Sequence, residues 1–132
     1  NMETRGMRNH NPLNIRKGNN WQGEVAPQSD REFEQFSCDL YGLRAGMKIL
    51  KAYVTKHNCN TLRRIITRWA PPTENDTNAY IATVARRAGV DADQKIAFGE
   101  SSKICAIVKA MCYVESRYEP SDRLIAQAYA LV

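Results

Sequence analysis

From residue 41 onward, apolar residues recur at three- and four-residue intervals, in blocks bracketed by caps and breakers, which commits most of the chain to packed helices. Between 41 and 57, Leu43, Met47, Leu50 and Val54 form a stripe that Ile49 and Tyr53 widen. Asn60 or Thr61 can cap a second helix with Leu62, Ile65, Ile66 and Trp69 on one face, and Pro71-Pro72 stops it. Thr73 to Thr77 offer capping side chains for a third, with Tyr80, Ile81, Val84 and Ala88 inward and Gly89 ending it. Ser101 or Ser102 caps a fourth over about 102–117, and Pro120-Ser121-Asp122 opens a short last one.

The first 40 residues are rich in Asn, Gly and Pro. Asn14-Ile15-Arg16 and Trp21 to Val25 flank Lys17-Gly18-Asn19-Asn20, a hairpin signal, and Phe33 to Phe36 reads as a third short strand. The expectation is an α+β fold, mostly helical, with a small N-terminal β-hairpin or sheet and about five helices. The 132 residues contain no linker, repeat or low-complexity tract, so residues 1–132 read as one domain, large enough to bury a core.

The net charge of +5 is uneven: residues 1–66 hold 11 Lys and Arg against 6 Asp and Glu, while residues 67–132 hold 8 of each. Such a face suits an anionic polymer. Nucleic acid is disfavoured, because no helix carries a Lys/Arg stripe interleaved with aromatics. Cys38, Cys59, Cys105 and Cys112 form no C-x-x-C pair and read as reduced thiols. His10 and His57 have no evident acidic partner, so neither a metal site nor a catalytic triad is expected, and no cofactor fingerprint is present. No transmembrane segment or signal peptide is read. With Asn1 taken as an addition ahead of a natural Met2 start, the expectation is cytoplasmic synthesis and action in a virion or at the cell wall.

Glu115 is the carboxylate that periodicity singles out. The stripe Ile104, Val108, Met111 of the fourth helix lands next on Glu115. A partly desolvated carboxyl at a groove is what a glycosidase needs as general acid. The plainer alternative is a solvated last-turn residue paired with Arg117 or Lys109. In the opening run Arg5 to Arg16, Asn9, Asn11 and Asn14 can scaffold an irregular loop through side-chain-to-backbone bonds, or present amides to sugar hydroxyls and N-acetyl groups.

That run, followed by Trp21-Gln22-Gly23, resembles the R-G-x-R-N-N-N-P-G-N-I-R…W-x-G opening of a family of small phage and prophage proteins labelled as virion proteins or lytic transglycosylases. The resemblance continues through Phe33-x-x-Phe36, Tyr41 to Ala45, Arg68 to Thr77 with Tyr80-Ile81, and Glu115 with Pro120-Ser121-Asp122. Leu13 stands where that pattern has Gly, and Ser116-Arg117 where it has Asn-Gly. The string Met111 to Pro120 is also similar to the glutamate-serine stretch of soluble lytic transglycosylases. The resemblance implies a lysozyme-like domain, with a circular permutation as one arrangement, in which Glu115 packs back beside the Asn-rich loop.

The same resemblance implies a peptidoglycan glycan-strand cleaving enzyme of lytic transglycosylase or muramidase type. Glu115 is the leading acid, with Glu3 and Glu34 behind it. Asn9, Asn11, Asn14, Trp21, Tyr80 and Tyr118 are the substrate-binding candidates, although helical spacing alone puts Tyr80 and Trp69 in the core. A second carboxylate would come from Glu24, Asp30, Glu32 or Glu34; a transglycosylase needs none. The competing reading is a non-catalytic virion or peptidoglycan-binding protein, with other virion proteins as partners.

Overall fold

A computed structural model describes residues 3–132; Asn1 and Met2, on which the expected start falls, lie outside the described residues. Among the described residues six helices make up the fold: α1 (Arg5–Arg8), α2 (Asp39–Lys56), α3 (Leu62–Trp69), α4 (Thr77–Ala88), α5 (Ser101–Ser116) and α6 (Asp122–Ala130). The helix after each expected cap is present. The Thr61 side chain accepts from Arg64 N–H, Asp76 from Ala79 N–H, and Ser121 from Leu124 N–H. Gly89 ends α4 at φ +67°, the left-handed cap that glycine favours. Glu100, rather than Ser101 or Ser102, stands at the start of α5 and makes no side-chain cap.

Packing centres on α5, whose Ile104, Ile107, Val108, Met111 and Cys112 are fully buried. It lies against α4 and α6; α6 reaches α2, α3 packs on α2 and α4, and α1 sits against α5. Gly6 in α1 permits that last approach, because a Cβ there would collide with the Ser116 Oγ.

The α+β expectation is overturned. Among the described residues the fold is all-helical with no strand, so the expected N-terminal hairpin and the lysozyme-like arrangement do not fit. Two isolated bridges occur among the described residues, Arg16 with Phe33 and Glu24 with Phe36. The two arms of the supposed hairpin do not pair with each other; each touches the 33–36 segment once. The reason lies in the side chains. Gln35 Oε1 accepts from the Ser29 and Asp30 amides, Asp30 Oδ1 from those of Glu32 and Phe33, and Asn11 Oδ1 from that of Ile15. Main-chain donors that would build a ladder are thereby taken by side chains. The sixth helix, α1, lies in what reads from sequence as irregular loop.

Candidate functional site

The stripe of α5 ends in a half-buried Glu115 whose carboxylate is held by three separate parts of the chain. Trp69, the last residue of α3, donates from Nε1 to Oε2 at 3.2 Å. Tyr80, one turn into α4, donates from its hydroxyl to the same oxygen at 3.0 Å. Asn14 donates from Nδ2 to Oε1 at 3.2 Å and to the Glu115 backbone carbonyl at 3.0 Å.

Local chemistry fixes each donor. Pro71 ends α3 directly after Ala70, which leaves Trp69 at a helix terminus, half-exposed, with Tyr53 edge-on at 6.3 Å. Asp76 sets the start of α4 and with it the register that turns Tyr80 inward. Asn14 sits at φ +53°, a left-handed conformation that asparagine tolerates better than most residues. Its loop is pinned to the end of α5 by Thr4 Oγ1 donating to the Ser116 carbonyl at 2.6 Å and Ser116 Oγ donating to the Pro12 carbonyl at 2.8 Å.

The Glu115 carboxylate opens into a groove of about 370 Å³ whose walls include Asn14, Arg16, Phe33, Trp69 and Glu74. Asn14 Oδ1 is buried without a partner among the described residues and lies beside Gly6 of α1, so only the amide side of Asn14 serves Glu115. Burial, and then the charge of Glu115, push the Tyr80 phenol well above its ordinary range, so that it remains a neutral donor. Neither cation expected as a surface partner pairs with Glu115: Lys109 holds Asp122 at 2.8 Å, and Arg117 lies over the Tyr113 ring.

The other sequence candidates are dispersed. Asn11, fully buried, ties its amide to the Ile15 and Glu34 carbonyls, and Asn9 bridges Asp30 and Gln35. Both act as loop scaffold. Glu34, 3% exposed, lines a separate hollow with Glu24 and Lys17, where burial and then Glu24 raise its pKa. Glu3 is exposed and lines neither hollow. Trp21 packs half-buried against the core, away from the groove. Tyr118 donates to Asp39 Oδ2 at 2.8 Å, and burial together with that carboxylate raises its pKa.

His10, expected to have no acidic partner, stands 2.8 Å from Asp39 Oδ1; the two are distant in sequence, so spacing does not reveal the contact. Sequence reasoning also missed Trp69 as a donor and Glu74 and Phe33 as groove walls. Trp69 is both core and groove, because the last residue of an amphipathic helix can do both. All four cysteines are free. Among the described residues, no group of three His, Cys, Asp or Glu is arranged to hold a metal, and no helix is long and apolar enough to cross a membrane.

Comparison with models of protein families finds no match. The chain is 39% identical over 124 residues to Protein P5 of Pseudoalteromonas phage PM2, an alignment spanning 91% of this chain and 76% of P5. The chain belongs to the Protein P5 family. Phage affinity, expected from the opening motif, is therefore established at the level of a P5-type phage protein.

Proposed function

We propose that this P5-family protein cleaves the glycan strands of bacterial peptidoglycan with Glu115 as general acid. The observation that carries the reading is the groove-facing carboxylate with its donors distributed unequally. Oε2 already accepts from Trp69 and Tyr80, whereas Oε1 has only the Asn14 amide at 3.2 Å. A proton on the carboxyl therefore resides on Oε1, which hands it to the glycosidic oxygen as the C1–O bond breaks and the leaving sugar departs with a new hydroxyl. Once deprotonated, the carboxylate is stabilised by all three donors, which are in place before the reaction and need no reorganisation.

Two routes complete the reaction. The sugar's own C6 hydroxyl can attack C1 and return its proton to Glu115, giving an anhydro end and restoring the acid. Alternatively water attacks, with Glu74, the other carboxylate lining the groove, as base. Trp69, which lines the groove beside Glu115, offers apolar surface to a sugar ring, whereas the Phe33 ring is covered by the Arg5 and Arg16 guanidinium groups at 4.6 and 4.9 Å. Mass spectrometry of products from purified peptidoglycan distinguishes anhydro from reducing ends. Glu115→Gln is expected to abolish both while leaving the fold intact, and unchanged cleavage by that variant removes Glu115 from the mechanism.

A second reading, a non-catalytic virion component or peptidoglycan-binding protein, takes its support from the kinship with a phage protein. Capture of the protein by insoluble peptidoglycan without release of any muropeptide favours it.

A further inference from the structure

A second hollow of about 280 Å³, which Tyr80 helps to line, lies between the start of α4 and the end of α5. Asn75 lines both hollows, so a strand laid across Glu115 in the first meets the second at that residue. The far wall is Tyr113 and Arg117. Arg117 caps α5 at φ +53°, in the left-handed region that a β-unbranched side chain enters at a cost and that glycine enters freely. Its guanidinium stands 5.0 Å from the Tyr113 ring centroid, and that of Arg87 stands 3.6 Å from the same centroid.

The two arginines differ in one respect. Arg87 is neutralised by Glu119 at 3.1 Å, whereas Arg117 makes no ion pair among the described residues. The carboxylate that shares the hollow, Asp76, has Oδ1 occupied by the Ala79 amide as the cap of α4. An unpaired guanidinium, braced on an aromatic face at the edge of a polar hollow, is a receptor for a ligand carboxylate.

We infer that Arg117 forms a subsite for the carboxylate-bearing stem peptide carried by a sugar next to the bond under Glu115. This inference rests on the glycan-strand reading above. The subsite gives the protein a preference for peptide-bearing over naked glycan, and the specificity resides in one side chain that has no part in holding Glu115.

The test uses the protein carrying Glu115→Gln, so that strands stay uncut, and measures binding of soluble glycan strands with stem peptides and of the same strands stripped by an amidase, with the lactyl carboxylates that the amidase frees then blocked as amides. Arg117→Gly removes the cation while relaxing the backbone, so misfolding does not cloud the result. It is expected to weaken binding of peptide-bearing strands about tenfold and leave stripped strands unchanged, with Arg117→Lys in between. Equal losses on both strands, no loss on either, or no binding of either strand overturns the subsite. Unmodified protein is assayed in parallel for new chain ends on stripped strands. Their absence overturns the cleavage reading alone, and the binding comparison still decides the subsite.

Discussion

The Asn14 side-chain amide donates to both the backbone carbonyl and the carboxylate of Glu115, 101 residues further along the chain. One amide group thus fixes the height of the last turn of α5 and the orientation of the acid at its end.

Asn14 combines that contact with a left-handed backbone, and two substitutions separate the roles. Asn14→Gly and Asn14→Ala are both expected to lower glycan cleavage by about tenfold or more through loss of the hydrogen bonds to Glu115. Ala alone adds the strain, about 1 kcal/mol. Chemical denaturation should rank Gly as the more stable variant. The reverse order would show that the backbone conformation carries no cost.

Tyr80→Phe keeps the ring, which is 7% exposed, and removes the donor to Glu115 Oε2. Cleavage is expected to fall about tenfold or more, while stability changes by about 1 kcal/mol. If thermal melting drops steeply and activity per folded molecule is unchanged, the hydroxyl is structural and not part of the acid's support.

Glu34 is predicted to govern a pH effect unrelated to chemistry. Burial, and then the neighbouring Glu24 carboxylate, raise its pKa in the folded state. Its contribution is therefore most favourable below the ordinary carboxylate pKa and is lost as pH rises through the folded value. Glu34→Gln should gain stability near pH 7 and gain little near pH 4, as read by urea midpoints at the two pH values. A uniform loss at both would mean that the carboxylate has a partner it needs.

Gly6→Ala places a Cβ against the Ser116 hydroxyl and the Asn11 carbonyl. The α1–α5 contact must open, at a cost of about 1–3 kcal/mol. Because Ser116 adjoins Glu115, cleavage should fall in step with the shift in unfolding midpoint. A variant as stable as the parent would show that α1 yields easily.

The helical part of this fold is legible in the sequence because caps and apolar periodicity agree there: Thr61, Asp76, Gly89 and Ser121 mark boundaries that the structure keeps. The N-terminal lobe is not. Val25, Phe33 and Phe36 carry strand-like character, but Asn11, Asp30 and Gln35 take the backbone donors that a sheet requires, and nothing in their spacing announces it. Glu115 stands out because a charge interrupts an apolar stripe at its end. Trp69 and Tyr80 sit on apolar faces of their own helices, where an indole N–H or a phenol hydroxyl pointing at a distant carboxylate looks the same as core. Asn9 and Asn11 share a composition with Asn14, and only the fold separates scaffold from groove.

The contacts from Thr4, Pro12 and Asn14 to residues 115 and 116 join opposite ends of the chain. A ribosome therefore makes Asn14, a wall of the groove, 101 residues before the acid that it orients. No partial product released before that point can hold the carboxyl in place.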